Sequence, residues 1–284
     1  MDFYRHCEDQ VRASDKDRFL ATLFAPAAPR GLLFALYAFN LEIAGVRDRV
    51  REPMAGEIRL QWWRDVLNGE RASEAAANPV AAALLETIAH CALPAEPLRD
   101  LIEAHAFDLY DDPMPTRAAL DAYAHKTAGV VFDQAARICG GVTRAVEEAA
   151  EHAGKAHAIT DLLRRFARAA SRHQVFVPAE LLERHGTRVE EVTAGQASEG
   201  LLAALAALRA DARRHLVGFE LLLPVLPAAT MPAFLPLALV PGYLTRMERD
   251  DYDPFHTPIE VAQWRRQWTL WRAARRYAGV MRGA

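Results

Sequence analysis

The chain has 284 residues, 51% of them apolar, with a net charge of −3 and a pI near 6.4. That is ample for a buried core and argues against wholesale binding to nucleic acid. The three cysteines, Cys7, Cys91 and Cys139, are far apart and odd in number, which excludes a disulfide framework or a cysteine metal cluster and fits a reducing compartment.

The opening "MDFYRHCEDQVRASDKD" carries charge throughout and no apolar signal core. No uncharged apolar run reaches the roughly 18–20 residues of a spanning helix. The expected location is cytoplasmic. Along the chain, apolar residues recur every three to four positions. The pattern predicts helices over 30–50, 55–70, 79–93, 95–112, 116–141 and 144–169, then over 198–223, 231–247 and 258–279. Asn68-Gly69 gives the second of these a stop signal. Strand-like alternation is confined to "VFV" at 175–177. With no internal repeat and no long linker, the expectation is an all-α, single-domain helical bundle over 1–284.

Several local features call for explanation. In "ITDLLRRFARAASRHQVFVP" (159–178), Arg164, Arg165, Arg168 and Arg172 crowd a helix end. The spacings 164/168 and 168/172 predict three guanidinium groups on one face, at a repulsion of a few tenths of a kcal/mol per pair. The stretch 219–244 holds Glu220 as its single charge and five prolines, and reads either as a buried helix–turn–helix or as a peripheral membrane contact. Trp62, Trp63, Trp264, Trp268 and Trp271 sit at core-like helical spacing, the last three with a partner surface as the alternative. Asp108 and Asp112 repeat an Asp-x-x-x-Asp spacing just ahead of Pro113, which ends the helix there. The histidines form no recognised metal-ligand motif, and no glycine-rich phosphate loop is present.

Four ordered blocks resemble the squalene/phytoene synthase family. "APAAPRGLLFALYAF" (25–39) resembles its proline–arginine turn and first catalytic helix, and "YAHKTAG" (123–129) its tyrosine-to-Ala-Gly block. "GKAHAITDLLRR" (154–165) resembles the helix of the second acidic motif, and "HQVFVPAELLERHG" (173–186) the turn and short helix behind it. The likeness is strongest over 14–220. It implies the isoprenoid synthase type of all-α fold. In the family, two Asp-x-x-x-Asp pairs hold Mg²⁺, which neutralises departing diphosphate while two prenyl diphosphates are joined.

Here those motifs are degraded. Where the family has its first pair, this chain has Ala44 and Asp48, with Gly45 beside the first and Leu41 in place of an upstream arginine. Where it has the second, this chain has Arg165 and Ala169, with Arg168 inside the motif and Asp161 for an asparagine; Arg164 matches the family's arginine. Three of the four carboxylates are missing, and each 1.4 kcal/mol of lost charge stabilisation is about tenfold in rate. Catalytic residues are therefore not expected, nor is a metal or other cofactor. Tyr123, His125, Asp48, Asp161, Arg164, Arg165 and Arg168 are the candidate ligand-binding residues, for an isoprenoid or lipid held by guanidinium groups directly.

"FNLEIAGVRDRV", "RLQWWRDVL", "FDLYDDP" and the tail "PAFLPLALVPGYLTRMERDDYDPFH" (232–256) resemble a non-catalytic branch of the family that contains a mitochondrial respiratory complex I assembly factor. That resemblance implies a partner among complex I subunits or assembly intermediates, and a location in the cytoplasm or peripheral on the inner membrane. The alternative is a divergent prenyl diphosphate transferase with a metal site rearranged around Asp48, Asp161, Asp108 and Asp112, which alone calls for Mg²⁺.

Overall fold

The structure, a computed structural model, describes residues 2–282. Among them the chain forms helices and turns with no β-strand, as the periodicity predicts. It enters through α1 (Phe3–Ser14) and α2 (Lys16–Thr22), whose first turns are capped by the carboxylates of Asp2 and Asp15. The next helix, α3 (Ala27–Ala44), buries an unbroken run from Leu33 to Asn40. The sequence predicts one helix over 30–50, but α3 stops at Gly45 (φ −88°, ψ 1°) and a single turn, α4 (Val46–Arg49), follows. Glycine costs a helix about 1 kcal/mol relative to alanine, and the chain is already extended at Val50 and Glu52 ahead of Pro53.

Next come α5 (Pro53–Leu67), α6 (Ala72–Ala77), α7 (Pro79–Cys91) and α8 (Ala95–Ala106). Pro53 and Pro79 occupy first helical positions, where a missing N–H costs nothing. Helices α1, α3 and α7 pack on one another, and α5 on α8. Trp63 is buried with its ring edge-on to Phe39, so this tryptophan is core, as expected.

After α9 (Arg117–Ala124) the backbone widens into a five-residue π-helical turn, His125–Gly129, and resumes as α10 (Val130–Ile138). The long α11 (Arg144–Arg164) packs against this turn, α10 and the later α15 (Glu199–Leu222). The contact between α11 and the π turn is backbone on backbone. A Cβ on Gly154 would lie 2.3 Å from Gly129 Cα and 2.4 Å from its nitrogen. Only glycine allows that approach.

The predicted helix over 144–169 also breaks. Arg165 (φ −95°, ψ 6°) closes α11, and α12 (Phe166–Ala170) is a separate turn. His173 (φ 60°) then reverses the chain, and the "QVFVP" stretch runs beside Met114, with Met114 N–H donating to Val175 O and Ala179 N–H to Met114 O. Two short helices, α13 (Ala179–Arg184) and α14 (Val189–Thr193), lead into α15, and α16 (Met231–Phe234), α17 (Val240–Met247) and α18 (Gln263–Arg282) finish the fold.

The apolar segment 219–244 is mainly core: Phe219, Leu223, Phe234, Leu235, Leu237, Val240 and Leu244 are buried, whereas Leu221 and Val225 are exposed. Ala228–Met247 has the length and apolarity to cross a membrane, yet 61% of its most apolar window is buried inside the protein. This burial favours the helix–turn–helix reading of 219–244 over the membrane-contact one, because prolines fold the stretch back on itself and its short pieces turn most of their apolar surface to the bundle. What pins this tail is Asp17. Its carboxylate lies 3.0 Å from Arg266 of α18 and 3.7 Å from Arg164 of α11, and accepts a hydrogen bond from Tyr243 of α17.

The glycine contact generates a test. Replacing Gly154 by Ala forces α11 off the π turn at about 1–3 kcal/mol of overpacking, so Tm measured by circular dichroism should fall by roughly 5 °C. Gly140→Ala serves as a comparison of a different kind, since Gly140 has open space around it but a positive φ of 87°.

Candidate functional site

The two helix breaks face each other. Ala44 and Asp48 from the first, and Arg165, Arg168, Ala169 and Arg172 from the second, line one cleft with Arg47, Asp108, Leu162, Gln174 and Phe176. It measures about 490 Å³ including its open mouth. The lining thus sets the guanidinium groups of Arg47, Arg165, Arg168 and Arg172 against the carboxylates of Asp48 and Asp108. Asp48 is held by both Arg168, at 2.9 Å, and Arg172. Arg165 pairs with Asp161 at 2.8 Å, and Arg47 turns to Asp111 at 3.0 Å.

The expected row of three arginines on one face does not form. Arg164 points to the opposite side, stacked 3.8 Å over the Tyr243 ring and within the field of Asp17. The break at Arg165 is the reason, because helical phase is lost there and Arg168 and Arg172 belong to a new turn. Asp161 borders both groups. Burial works against its charge, but Arg165 and Arg164 overcome that and hold its carboxyl below the ordinary 3.8.

The cleft's inner wall rests on a buried polar triad. The Tyr123 hydroxyl donates to Asp108 at 2.9 Å, and His105 Nδ1 lies 2.7 Å from the other Asp108 oxygen. Burial first, then the Asp108 charge, pushes the Tyr123 phenol well above its ordinary 10, so it remains a donor at every physiological pH. Gln174 donates to the Asp108 carbonyl, and Phe107 and Phe176 close around the Tyr123 ring. Beyond Phe176 the same wall borders an apolar crevice of about 320 Å³, lined by Leu120, Ile159, Leu163, Phe166, Val177 and Leu208 among others. It is so narrow that it admits about one water molecule.

The structure separates other residues that the sequence grouped. His125 is exposed and sits near Glu151 on the outer surface, away from the cleft. Two residues after Tyr123, it falls about 200° round the helix, so both cannot face inward. Asp108 and Asp112 do not share a helix face either. Helix α8 ends at Ala106, Asp108 sits in a 3₁₀ turn and the chain is extended by Tyr110. His105, Arg47, Arg172, Gln174 and Phe176 complete the site and were not among the candidates. Arg172 was signalled by its four-residue spacing from Arg168; His105 had no sequence signal, since its partner Tyr123 lies 18 positions away.

Mg²⁺ held between two acidic pairs needs several carboxylate oxygens aimed at one point. Asp48 is already paired with two guanidinium groups, Ala44 and Ala169 have no donor, and Arg165 is itself a cation. Among the described residues no three metal-ligating side chains converge. This donor set does not fit the metal cluster.

The family model for squalene/phytoene synthase matches residues 11–272. The chain belongs to the squalene/phytoene synthase family. It is 28% identical over 255 residues to mouse NADH dehydrogenase (ubiquinone) complex I, assembly factor 6, covering 90% of this chain and 77% of that protein. The human protein of the same name is 27% identical over 255 residues, with the same shares covered. Phytoene synthase of Thermus thermophilus is 31% identical over 207 residues, 72% of this chain and 68% of that one. Among solved structures, a dehydrosqualene synthase superposes with a TM-score of 0.81 at 18% identity, covering 98% of this chain and 97% of that one. A squalene synthase from Alicyclobacillus acidocaldarius gives 0.77 at 22%, covering 89% and 95%. These two show the all-α synthase fold.

Acid sensitivity of the squalene/phytoene synthase-like core follows from the helix behind the cleft. His157 of α11 packs edge-on to Phe132, and burial, then the positive charge of Arg18, lowers it to about 4 from 6.5. The nearby Asp161 and Asp15 raise it and Arg164 lowers it further. His215, lowered by burial and by His152, acts in the same direction. Between pH 6.5 and about 4 the unfolded chain binds protons that the folded chain refuses, so stability drops as pH falls through this window. Urea unfolding across that range should show the loss, and His157→Gln should flatten it, with His157→Gln/His215→Gln flattening it further.

Proposed function

We propose that this protein is a non-catalytic member of the squalene/phytoene synthase family that assists the assembly of respiratory complex I. The observation that carries the reading is likeness over 90% of the chain to proteins named for that role. The chemistry of the cleft supports it. Ionising a prenyl diphosphate requires a metal-borne positive charge that grows useful as the bond breaks, whereas here the cations are fixed arginines, four of them sharing the carboxylates of Asp48, Asp161 and Asp111. Such a site binds without favouring a transition state.

The cleft's excess of guanidinium groups makes an anionic group, such as the phosphate of an isoprenoid or lipid, its preferred ligand class. The adjoining apolar crevice is too narrow for a prenyl chain as it stands, and a bound chain would have to part Phe176 and Leu162 from their neighbours.

Deleting the gene in its host should lower NADH:quinone activity and the amount of assembled complex I, and the wild-type chain should restore both. Restoration by an Asp48→Ala chain is expected as well, while purified protein with excess Mg²⁺ should release no diphosphate from farnesyl diphosphate. Normal complex I in the deletion strain would refute the assembly role, and metal-dependent diphosphate release abolished by Asp48→Ala or Asp108→Ala would establish the prenyl transferase alternative.

Calorimetry of inorganic pyrophosphate tests the cleft separately. Asp48→Asn frees two guanidinium groups and should tighten binding by roughly threefold to fivefold, and Arg168→Gln should weaken it by a similar factor. Added Mg²⁺ should not strengthen either.

A further inference from the structure

Helix α18 turns Leu270, Ala274 and Tyr277 into the core. On the opposite side Trp264, Trp268 and Trp271 are 63%, 54% and 39% exposed, which corrects their assignment to core packing. Their spacing of four and three places them on one stripe, but the stripe faces out. Arg265, Arg272 and Arg275 are exposed along the same flank. From Gln263 to Arg282 the sequence contains no acidic residue. Arg266 and Arg276 are engaged elsewhere, by Asp17 and by Glu220.

We propose that this face of α18 docks the protein onto an anionic lipid bilayer. The indole rings would sit at the headgroup level, where an apolar body with a polar N–H is most stable, and the arginines would pair with lipid phosphates. Charge complementarity selects the partner: the face is basic with no acidic residue of its own on the helix. A second copy is disfavoured for the same reason, since a twofold pairing would set the arginines of one face against those of the other. A single-stranded nucleic acid would need free ring faces for its bases. Here Trp268 and Trp271 stack on each other with centroids 5.1 Å apart, and the guanidinium groups of Arg275 and Arg265 lie 4.0 and 5.1 Å over the rings of Trp271 and Trp264. Shape points the same way. Trp264, Gln267, Trp268 and Trp271 line an open, shallow surface rather than a groove, which suits a flat interface.

The proposal does not depend on the assembly role. It is tested with the full-length purified protein and vesicles of phosphatidylcholine alone or mixed with phosphatidylglycerol. Binding is read by co-sedimentation and by quenching of tryptophan emission with brominated lipid. Binding to the anionic vesicles only, weakened by salt, is expected. Arg265→Gln and Arg272→Gln should each weaken it roughly fivefold. The double variant Trp264→Ala/Trp268→Ala should weaken it by on the order of tenfold or more, with Tm near the wild-type value because both side chains are more than half exposed. The proposal would be overturned by no vesicle binding, equal binding to neutral vesicles, binding unmoved by these variants, or tighter binding to a single-stranded oligonucleotide. A dimer that forms in solution and is lost in the tryptophan variant would overturn it in favour of self-association.

Discussion

A carboxylate taken out of water must find opposite charge nearby or fold at a cost of several kcal/mol. Asp17 is 9% exposed, and its countercharges come from parts of the chain far apart in sequence: Arg164 at the end of α11 and Arg266 in α18, with the Tyr243 hydroxyl completing the set. Much of the molecule is arranged around this requirement. The tail is held down because α17 and α18 supply partners. Arg164 is drawn away from the cleft and stacks on Tyr243. With Arg266 directed inward, residues two positions before and after it lie about 200° away and must point out. Those residues are Trp264 and Trp268. The same ion cluster that anchors the C-terminal helix thus orients its aromatic face to solvent.

On the proposed non-catalytic reading, the cleft keeps a synthase fold with arginines where the family's acidic motifs would lie. Both helices that would carry acidic pairs break at the motif, at Gly45 and Arg165. Across the gap Asp48 is clamped by Arg168 and Arg172. Arginine does locally what a divalent ion does in neutralising carboxylates, but its charge is tethered, single and spread over a planar fork. It can seat an anion and hold two helices in register. It cannot gather two diphosphates and follow their charge as a bond breaks. Behind the cleft, the Tyr123–Asp108–His105 cluster and the rings of Phe107 and Phe176 make a packed, hydrogen-bonded wall.

Features encoded by a single local pattern are legible in the primary sequence. Period-three-to-four apolar spacing predicts the helices, because side chains 100° apart share a face only in a helix. That Ala44, Arg165 and Ala169 carry no carboxylate is likewise plain without any coordinates. Helix ends were less legible. The breaks at Gly45 and Arg165 depend on what the next turn packs against as much as on propensity.

By itself, then, the sequence determined the all-α class, the family and the absence of a carboxylate at Ala44, Arg165 and Ala169. Only tertiary structure decided which acid each arginine takes, that His105 and not His125 meets Tyr123, that the proline-rich apolar stretch lines the core, and that the α18 tryptophans face water. The physical reason is common to all four. Periodicity says which side chains share a face, but whether that face is covered, and by which distant charge, is settled by segments up to 250 residues away, as between Asp17 and Arg266.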